Sequence, residues 1–271
     1  MYKIGSLFSG IGGFELGLER AIPAETIWQV EQEKFCQSIL KKHWPKAKIY
    51  NDVRNITKDN VEPVDILCGG FPCQDISIAG KTRGLKGEKS GLWWEMWRII
   101  SELRPRIIVL ENVANILRLG GREVLGSLTQ IGYDAEWTTI KASDFGAPHR
   151  RERWFCIAYP NGEQFVTLQP GKRTKRGEKI TSSRTLDTMD ENSGNANITD
   201  AHSKRSEKRG LHVRNYWKEI TPKSPLCTVD DGISARVARL KALGNAIVPQ
   251  CSEWIGAQIW KSGILQGENY V

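Results

Sequence analysis

The sequence predicts an α/β fold: a doubly wound, mostly parallel sheet with a small, irregular second domain. Three observations carry this expectation. Short apolar runs alternate with segments of helical period as far as Gly132. Two of those runs, residues 64–68 and 106–110, are nearly continuous in apolar side chains, the pattern of strands whose sheet is covered by helices on both faces. Each run then gives way to a short turn rich in Gly, Asp or Glu.

In chain order, residues 4–8 read as a strand ending in the turn Ser9-Gly10-Ile11-Gly12-Gly13, after which Phe14, Leu16, Leu18 and Ala21 recur at mostly helical spacing. Residues 26–30 form a second strand that runs into Glu31, and residues 35–43 a helix with Phe35, Ile39 and Leu40 on one side. A short third strand, 48–50, precedes Asn51-Asp52-Val53. The fourth, 64–68, leads into Gly69-Gly70-Phe71-Pro72-Cys73-Gln74, and the fifth, 106–110, into Glu111-Asn112-Val113. Residues 133–141 and 153–159 read as later, partly antiparallel strands. After Pro160 the apolar pattern thins, and residues 187–200, rich in Asp, Asn, Ser, Thr and Gly, read as a mobile loop. From Ser234 onward Val237, Leu240, Leu243, Cys251, Trp254, Ile255, Ile259 and Trp260 predict helices that return to the main domain. The expected division is a main domain of residues 1–159 plus 234–271 and a small domain of residues 160–233.

In an open parallel sheet the ligand crevice lies outside the carboxyl ends of the strands. Those positions hold Gly10, Gly12 and Gly13, then Glu31, Asp52, Pro72-Cys73 and Glu111-Asn112. Taken singly, each has an ordinary explanation: an acid after a strand is often a helix cap, and a cysteine is usually a small buried hydrophobe. Five such turns in one crevice are hard to assign to packing. Glu31, eighteen positions beyond Gly13, suits the hydroxyls of a ribose, and Asp52 an adenine amino group. The turn lacks the full Gly-x-Gly-x-x-Gly spacing that brings a helix N-terminus against a pyrophosphate, so an adenosine cofactor without phosphates, S-adenosylmethionine, fits better than a dinucleotide. Cys73 on a tight turn presents its sulfur to the cleft, and Glu111 on the next strand end is placed to exchange a proton beside it. A thiol with an ordinary pKa near 8.5 is only a few per cent ionised at neutral pH, so it needs a neighbouring cation. Arg151 and Arg153, expected on one face of a strand, are the candidates, although surface arginines are unremarkable in a basic protein.

The 271 residues carry 39 Lys and Arg against 31 Asp and Glu, a net charge of +8. Thirteen basic and eight acidic residues fall between Pro160 and Ser224, so most of the excess lies in the expected small domain. Such an excess marks either a nucleic-acid partner or a solvated variable region. No stretch of about 18 apolar residues occurs and Met1-Tyr2-Lys3-Ile4-Gly5 opens no leader pattern, so the expectation is a cytoplasmic protein with no membrane partner. The six cysteines, at 36, 68, 73, 156, 227 and 251, contain no Cys-x-x-Cys pair, which predicts free thiols and no metal.

With these residues assembled, the chain resembles the cytosine-C5 DNA methyltransferases over nearly its whole length and in that family's motif order. Phe8-Ser9-Gly10-Ile11-Gly12-Gly13 is similar to the cofactor loop, Glu31 to the ribose acid and Asp52-Val53 to the adenine-binding pair. Gly70-Phe71-Pro72-Cys73-Gln74 resembles the nucleophile loop, Ser90-Gly91-Leu92-Trp93 the segment after the mobile catalytic loop, and Glu111-Asn112-Val113 the family's Glu-Asn-Val. Gly244-Asn245-Ala246-Ile247-Val248-Pro249 is similar to the late Gly-Asn motif. Two departures stand out: His149 occupies the usual glutamine position in Pro148-His149-Arg150-Arg151-Glu152-Arg153, and Cys227-Thr228-Val229-Asp230-Asp231-Gly232 matches poorly before the last motif.

The resemblance implies a Rossmann-like, S-adenosylmethionine-dependent methyltransferase acting without metal on a flipped-out cytosine of double-stranded DNA at a short specific site. Catalysis would fall to Cys73, Glu111, Arg151 and Arg153, and cofactor binding to Phe8, Gly10, Ile11, Gly12, Gly13, Glu31, Asp52, Val53, Pro72, Leu92 and Asn245. Residues 78–89 have the composition of a closing lid. The small domain becomes the target-recognition region, with Lys172-Arg173-Thr174-Lys175-Arg176 and Lys204-Arg205 as phosphate contacts or solvated loops. The motif style is that of a prokaryotic cell or a phage-infected host, with a monomeric enzyme paired in function, without a physical complex, to a cognate restriction endonuclease. Three other readings stay open on sequence: methylation of tRNA by a branch of the same family, a catalytically silent DNA-binding regulator, and a nicotinamide-dependent oxidoreductase.

Overall fold

The computed structural model describes residues 1–72, 91–162 and 241–267. Cys73, the expected lid and all of the expected small domain beyond Gly162 lie outside the described residues.

One sheet of seven strands organises the rest: β1 (Tyr2–Leu7), β2 (Ala24–Val30), β3 (Lys48–Tyr50), β4 (Ile66–Gly70), β5 (Ile107–Val113), β6 (Tyr133–Lys141) and β7 (Glu152–Pro160). Their order is β3-β2-β1-β4-β5-β7-β6. The first five are parallel, and β7 runs antiparallel between β5 and β6. The chain works outward from β1 to β3 and then crosses back to β4, so the topological switch point lies between β1 and β4.

Helices cover both faces, as the continuous apolar runs predicted. Leu7, Leu67, Ile108 and Leu110 point to one side and pack with Trp93, Met96 and Ile99 of α3 (Leu92–Leu103) and Val124 and Leu128 of α5 (Gly121–Gln130). Ile4, Ile66, Cys68, Ile107 and Val109 point to the other and pack with Phe14 and Leu18 of α1 (Gly13–Ala21) and Cys251, Ile255 and Ile259 of α6 (Pro249–Lys261). Further helices among the described residues are α2 (Lys34–His43) and the short α4 (Ile116–Leu119), and residues 241–245 are helical as well. Among the described residues no helix is long and apolar enough to cross a membrane.

Three local expectations change. Leu16 is exposed, because Phe14 and Leu18, four apart, take the sheet-facing stripe of α1 and leave it on the far side. In α2 the fully buried pair is Cys36 and Leu40, with Phe35 and Ile39 at the margin. β5 does not stop at Leu110: antiparallel β7 pairs Glu111, Asn112 and Val113 with Phe155, Trp154 and Arg153, which keeps the acid inside the ladder.

α1 and α6 approach so closely that only small residues fit between them. A Cβ at Gly17 would overlap Ser252 Oγ and the Pro249 carbonyl, and one at Gly256 would lie 2.8 Å from Ala21 Cβ. Ser252 Oγ donates to the Gly13 carbonyl at 3.0 Å, fastening the C-terminal helix to the glycine turn. Gly17→Ala is therefore expected to destabilise the fold by about 1–3 kcal/mol through overpacking. Gly126→Ala, in the interior of α5 where a Cβ meets nothing within 4 Å, should stabilise by about 0.5–1 kcal/mol. Urea unfolding of the two variants, with opposite shifts in midpoint, checks both.

Candidate active site

The register of the sheet lines up the crevice. Tyr50, Val30, Leu7, Gly69 and Leu110 stand opposite one another across β3, β2, β1, β4 and β5. The residues that follow this row, Asn51, Glu31, Phe8, Gly70 and Glu111, therefore form the lip at the carboxyl ends. Glu31 and Glu111 are three inter-strand spacings apart, about 14 Å. The lip divides into a half around Glu31 and a half around Glu111.

In the first half the backbone is tightly tied. Ser9 N donates to the Val30 carbonyl at 3.1 Å and Glu31 N to the Tyr50 carbonyl at 3.0 Å, joining the turns after β1, β2 and β3. Glu31 Oε2 accepts from Gly10 N and Oε1 from Glu33 N, both at 2.8 Å. Each carboxylate oxygen keeps a second acceptor site, the pair of acceptors to which two vicinal hydroxyls can donate. Phe8 at φ 57°, Gly10 at 56° and Gly12 at 86° all adopt left-handed backbone. The three glycines serve different ends. A Cβ at Gly12 would overlap the Trp44 ring and one at Gly13 the Ile247 carbonyl, whereas at Gly10 it would meet nothing within 4 Å. Gly10 alone opens onto free space, with half-buried Ile11 beside it. Asp52 Oδ1 accepts from Arg54 N at 2.9 Å and so caps the turn that buries Val53, leaving Oδ2 3.5 Å from Arg54 Nη1. These residues fit an adenosine-type ligand: a carboxylate with free acceptor sites, a side-chain-free approach at Gly10 and a buried apolar wall.

The second half is built around Glu111. Its partner in the β4 register is Gly70, and a Cβ there would lie 2.8 Å from Glu111 Oε2, so the carboxyl occupies the space that a side chain would take. The next residue secures the turn that leads to Cys73: Asn112 Nδ2 donates to the Phe71 carbonyl at 3.1 Å. Phe71 in turn packs on Trp93, with ring centroids 5.1 Å apart, beside half-buried Pro72 and Leu92 at the start of α3. In the sequence Asn112 is legible only as part of the motif Glu111-Asn112-Val113. Its hydrogen bond joins positions 41 apart, and no spacing rule would have found it.

Of the two arginines only Arg153 lies within β7. Arg153 lies in β7 opposite Val113, diagonal to Glu111 on the same side of the ladder, and its Nε is 3.1 Å from Glu111 Oε1. Arg151 precedes the strand with φ 35°, so strand alternation does not govern it. Its Nη2 donates to the carbonyls of Gly244 at 2.9 Å and Ala246 at 2.5 Å, gripping the segment on either side of exposed Asn245. The expectation of an arginine pair side by side on one strand is corrected accordingly. Burial pushes the Glu111 carboxyl up to about 7, with the charges of Arg153 and Arg151 opposing the rise. Cys36, Cys68, Cys156 and Cys251 carry free thiols, as expected. Among the described residues no group of three His, Cys, Asp or Glu converges to hold a metal ion.

Comparison with known proteins identifies the family. The family model described as C-5 cytosine-specific DNA methylase matches residues 2–224. The chain is 35% identical over 171 residues to the type II methyltransferase M.Bsp6I of a Bacillus strain, covering 61% of this chain and 54% of that protein. It is 39% identical over 154 residues to the type II methyltransferase M.CviJI of a Paramecium bursaria Chlorella virus, covering 56% and 41%. The chain thus spans about half the length of the curated relatives it matches. Among solved structures, the S. pombe Dnmt2 methyltransferase superposes with a TM-score of 0.61 over 96% of this chain and 99% of its own, at 16% identity, a likeness of fold.

The raised value of Glu111 has a consequence for stability. A carboxyl that holds its proton more tightly when folded contributes stability that is complete below about pH 4.5 and lost as pH rises through about 7. Glu111→Gln should lack that loss and gain roughly 3 kcal/mol over the native chain between these limits. Urea unfolding at pH 5 and pH 8 reads the difference; equal pH dependence in both proteins would remove the buried-acid account.

Proposed function

The chain belongs to the C-5 cytosine-specific DNA methylase family, and from that premise we propose that it methylates C5 of a cytosine flipped out of double-stranded DNA, with Cys73 as nucleophile. The observation that carries this reading is the placement of Glu111. It is a buried acid with a value near 7, set beside Arg153 and over Gly70, the last residue of β4, which lies three positions before Cys73 in the sequence.

S-adenosylmethionine, when bound by Gly10, Glu31, Asp52 and Val53, supplies an electrophilic methyl carbon; the other steps belong to the chain and the base. The Cys73 thiolate adds to C6 of cytosine, forming an S–C6 bond and moving the C5–C6 π pair toward C5. Glu111, which carries a proton about half the time at neutral pH, holds it against N3 and so neutralises the charge that addition pushes into the ring. Arg153 orients the carboxyl through Oε1. Arg151 holds the Gly244 and Ala246 carbonyls and thereby sets the Asn245 segment against the same crevice. Once C5 has taken the methyl group, loss of the C5 proton returns its electrons to the C5–C6 bond and expels the Cys73 thiolate. C6 is unreachable inside a stacked duplex, so the base must be extruded, at a cost of a few kcal/mol offset by pocket and backbone contacts. The basic residues between Pro160 and Ser224 suit that backbone. The type II methyltransferases among the relatives support a restriction-modification setting.

Incubation of mixed-sequence duplex DNA with methyl-labelled cofactor, followed by mapping of modified cytosines, tests reaction, substrate and site together. Cys73→Ser should abolish transfer, and undiminished transfer by that variant would end the covalent mechanism. Glu111→Gln is expected to lower kcat by about a hundred- to ten-thousand-fold. In the native chain kcat should fall as pH rises above about 7 and Glu111 loses its proton. Label found in tRNA and absent from DNA would transfer the assignment to RNA.

A further inference from the structure

A buried polar cluster that the proposed reaction does not use lies beneath the glycine turn. Glu15, in the first turn of α1, has no exposed surface, nor has Gln29 of β2, and Ser6 of β1 is 1% exposed. Gln29, Ser6 and Cys68 stand in one row across β2, β1 and β4, so Glu15 sits on the sheet just behind the crevice lip. Gln29 Nε2 donates to Glu15 Oε1 at 3.0 Å, and Ser9 Oγ donates to Ser6 Oγ at 2.9 Å. Two buried oxygens are then left over, Glu15 Oε2 and Gln29 Oε1, neither with a hydrogen-bond partner among the described residues. The hydroxyls of Ser6 and Ser9 can serve an ionised carboxylate, but such a carboxylate has no hydrogen to offer Gln29 Oε1, which would stay unsatisfied at a cost of about 1–3 kcal/mol. A single proton on Oε2 supplies the missing hydrogen.

We propose that Glu15 is held as a neutral carboxylic acid whose Oε2–H donates to Gln29 Oε1, closing an acid–amide pair that positions the cofactor turn. Burial raises Glu15 above the ordinary carboxylate value, with Ser6, Gln29 and Ser9 opposing only in part. The groups facing it are the hydroxyls of Ser6 and Ser9, the Gln29 amide and the Cys68 thiol, none of them a cation. Glu19, one turn further along α1, is turned away onto Thr26 and Trp44, and Arg20 onto Glu253 of α6. The pair clamps the first turn of α1 to β2 two residues before Glu31, whose carboxylate holds Gly10 N. It thereby fixes the separation between the glycine turn and the ribose acid. Deprotonation would set two acceptor oxygens against each other in a buried site and loosen that separation.

This inference rests on the assignment of the turn and Glu31 to S-adenosylmethionine. The test combines carboxyl carbon NMR of protein labelled at glutamate with calorimetric binding of S-adenosylhomocysteine across pH. The Glu15 resonance, identified by its loss in Glu15→Gln, is expected at the protonated position at neutral pH. Affinity of the native chain should fall about tenfold toward alkaline pH as one arm of the pair is lost, whereas Glu15→Gln, which keeps both arms as an amide pair, should bind normally and without that fall. Glu15→Met should lose about tenfold at every pH. An ionised Glu15 at neutral pH, or Glu15→Met binding as the native chain does, overturns the proposal. If Glu15→Met does not fold, the resonance and the Glu15→Gln profile still decide. Ligand binding with an ionised Glu15 sinks this proposal alone; a protonated Glu15 in a chain that binds no S-adenosylhomocysteine sinks the cofactor assignment and the positioning role with it.

Discussion

The site depends on the close approach of the Glu111 carboxyl to the backbone of Gly70. Parallel pairing of β4 and β5 puts the two residues opposite each other at the last step of the ladder, and the missing side chain on β4 gives the acid its room. From that placement the rest follows. The carboxyl is taken out of water, which raises its affinity for a proton, and Arg153 on the antiparallel neighbour holds it in one orientation. Asn112, pointing the other way from the same strand, fastens the Phe71 carbonyl and so fixes where the chain leaves β4 for Cys73. Two adjacent residues of one strand set both the acid and the point where the chain leaves β4.

A second constraint brings the C-terminal segment into the same crevice. Gly17 and Gly256 let α1 and α6 meet at nearly backbone contact, and Ser252 ties α6 to the carbonyl of Gly13. Because α1 begins at the glycine turn, close packing along its far side delivers residues 244–249 to the turn's edge, where Arg151 takes hold of two of their carbonyls. Gly13 is thus better explained by the Ile247 carbonyl above it than by a ligand, while Gly10 faces open space. One glycine-rich motif serves helix packing and ligand approach at once.

Sequence patterning was sufficient for the parallel half of the sheet and for the residues at its carboxyl edge, because continuous apolar runs and the turns that end them are local signals. β3 and β6 keep their expected bounds. What escaped was set by pairing between distant segments. β5 continues through Glu111 because β7 lies beside it, and Arg151 leaves the strand pattern because its backbone turns left-handed before β7 begins. Asn112 and Gly70 were visible as letters of motifs, but their reasons, a carbonyl 41 positions away and a carboxyl on the next strand, lie in the fold.

Three acids stand along this edge of the sheet, and the neighbours of each decide what it can do. Glu31 accepts backbone N–H bonds on both oxygens and keeps acceptor capacity for hydroxyls. Glu111 is buried beside two arginines, and desolvation outweighs their opposite charge, which brings its value to about 7. Glu15 is buried with an amide, hydroxyls and a thiol but no cation facing it, so hydrogen bonds compensate a charge there only in part and the proposed form is the neutral acid. One residue type on one sheet thus supports three proposed roles: a binding carboxylate, a proton-transfer acid and a neutral structural acid. The difference lies in whether the partner is a backbone dipole, a guanidinium or an amide.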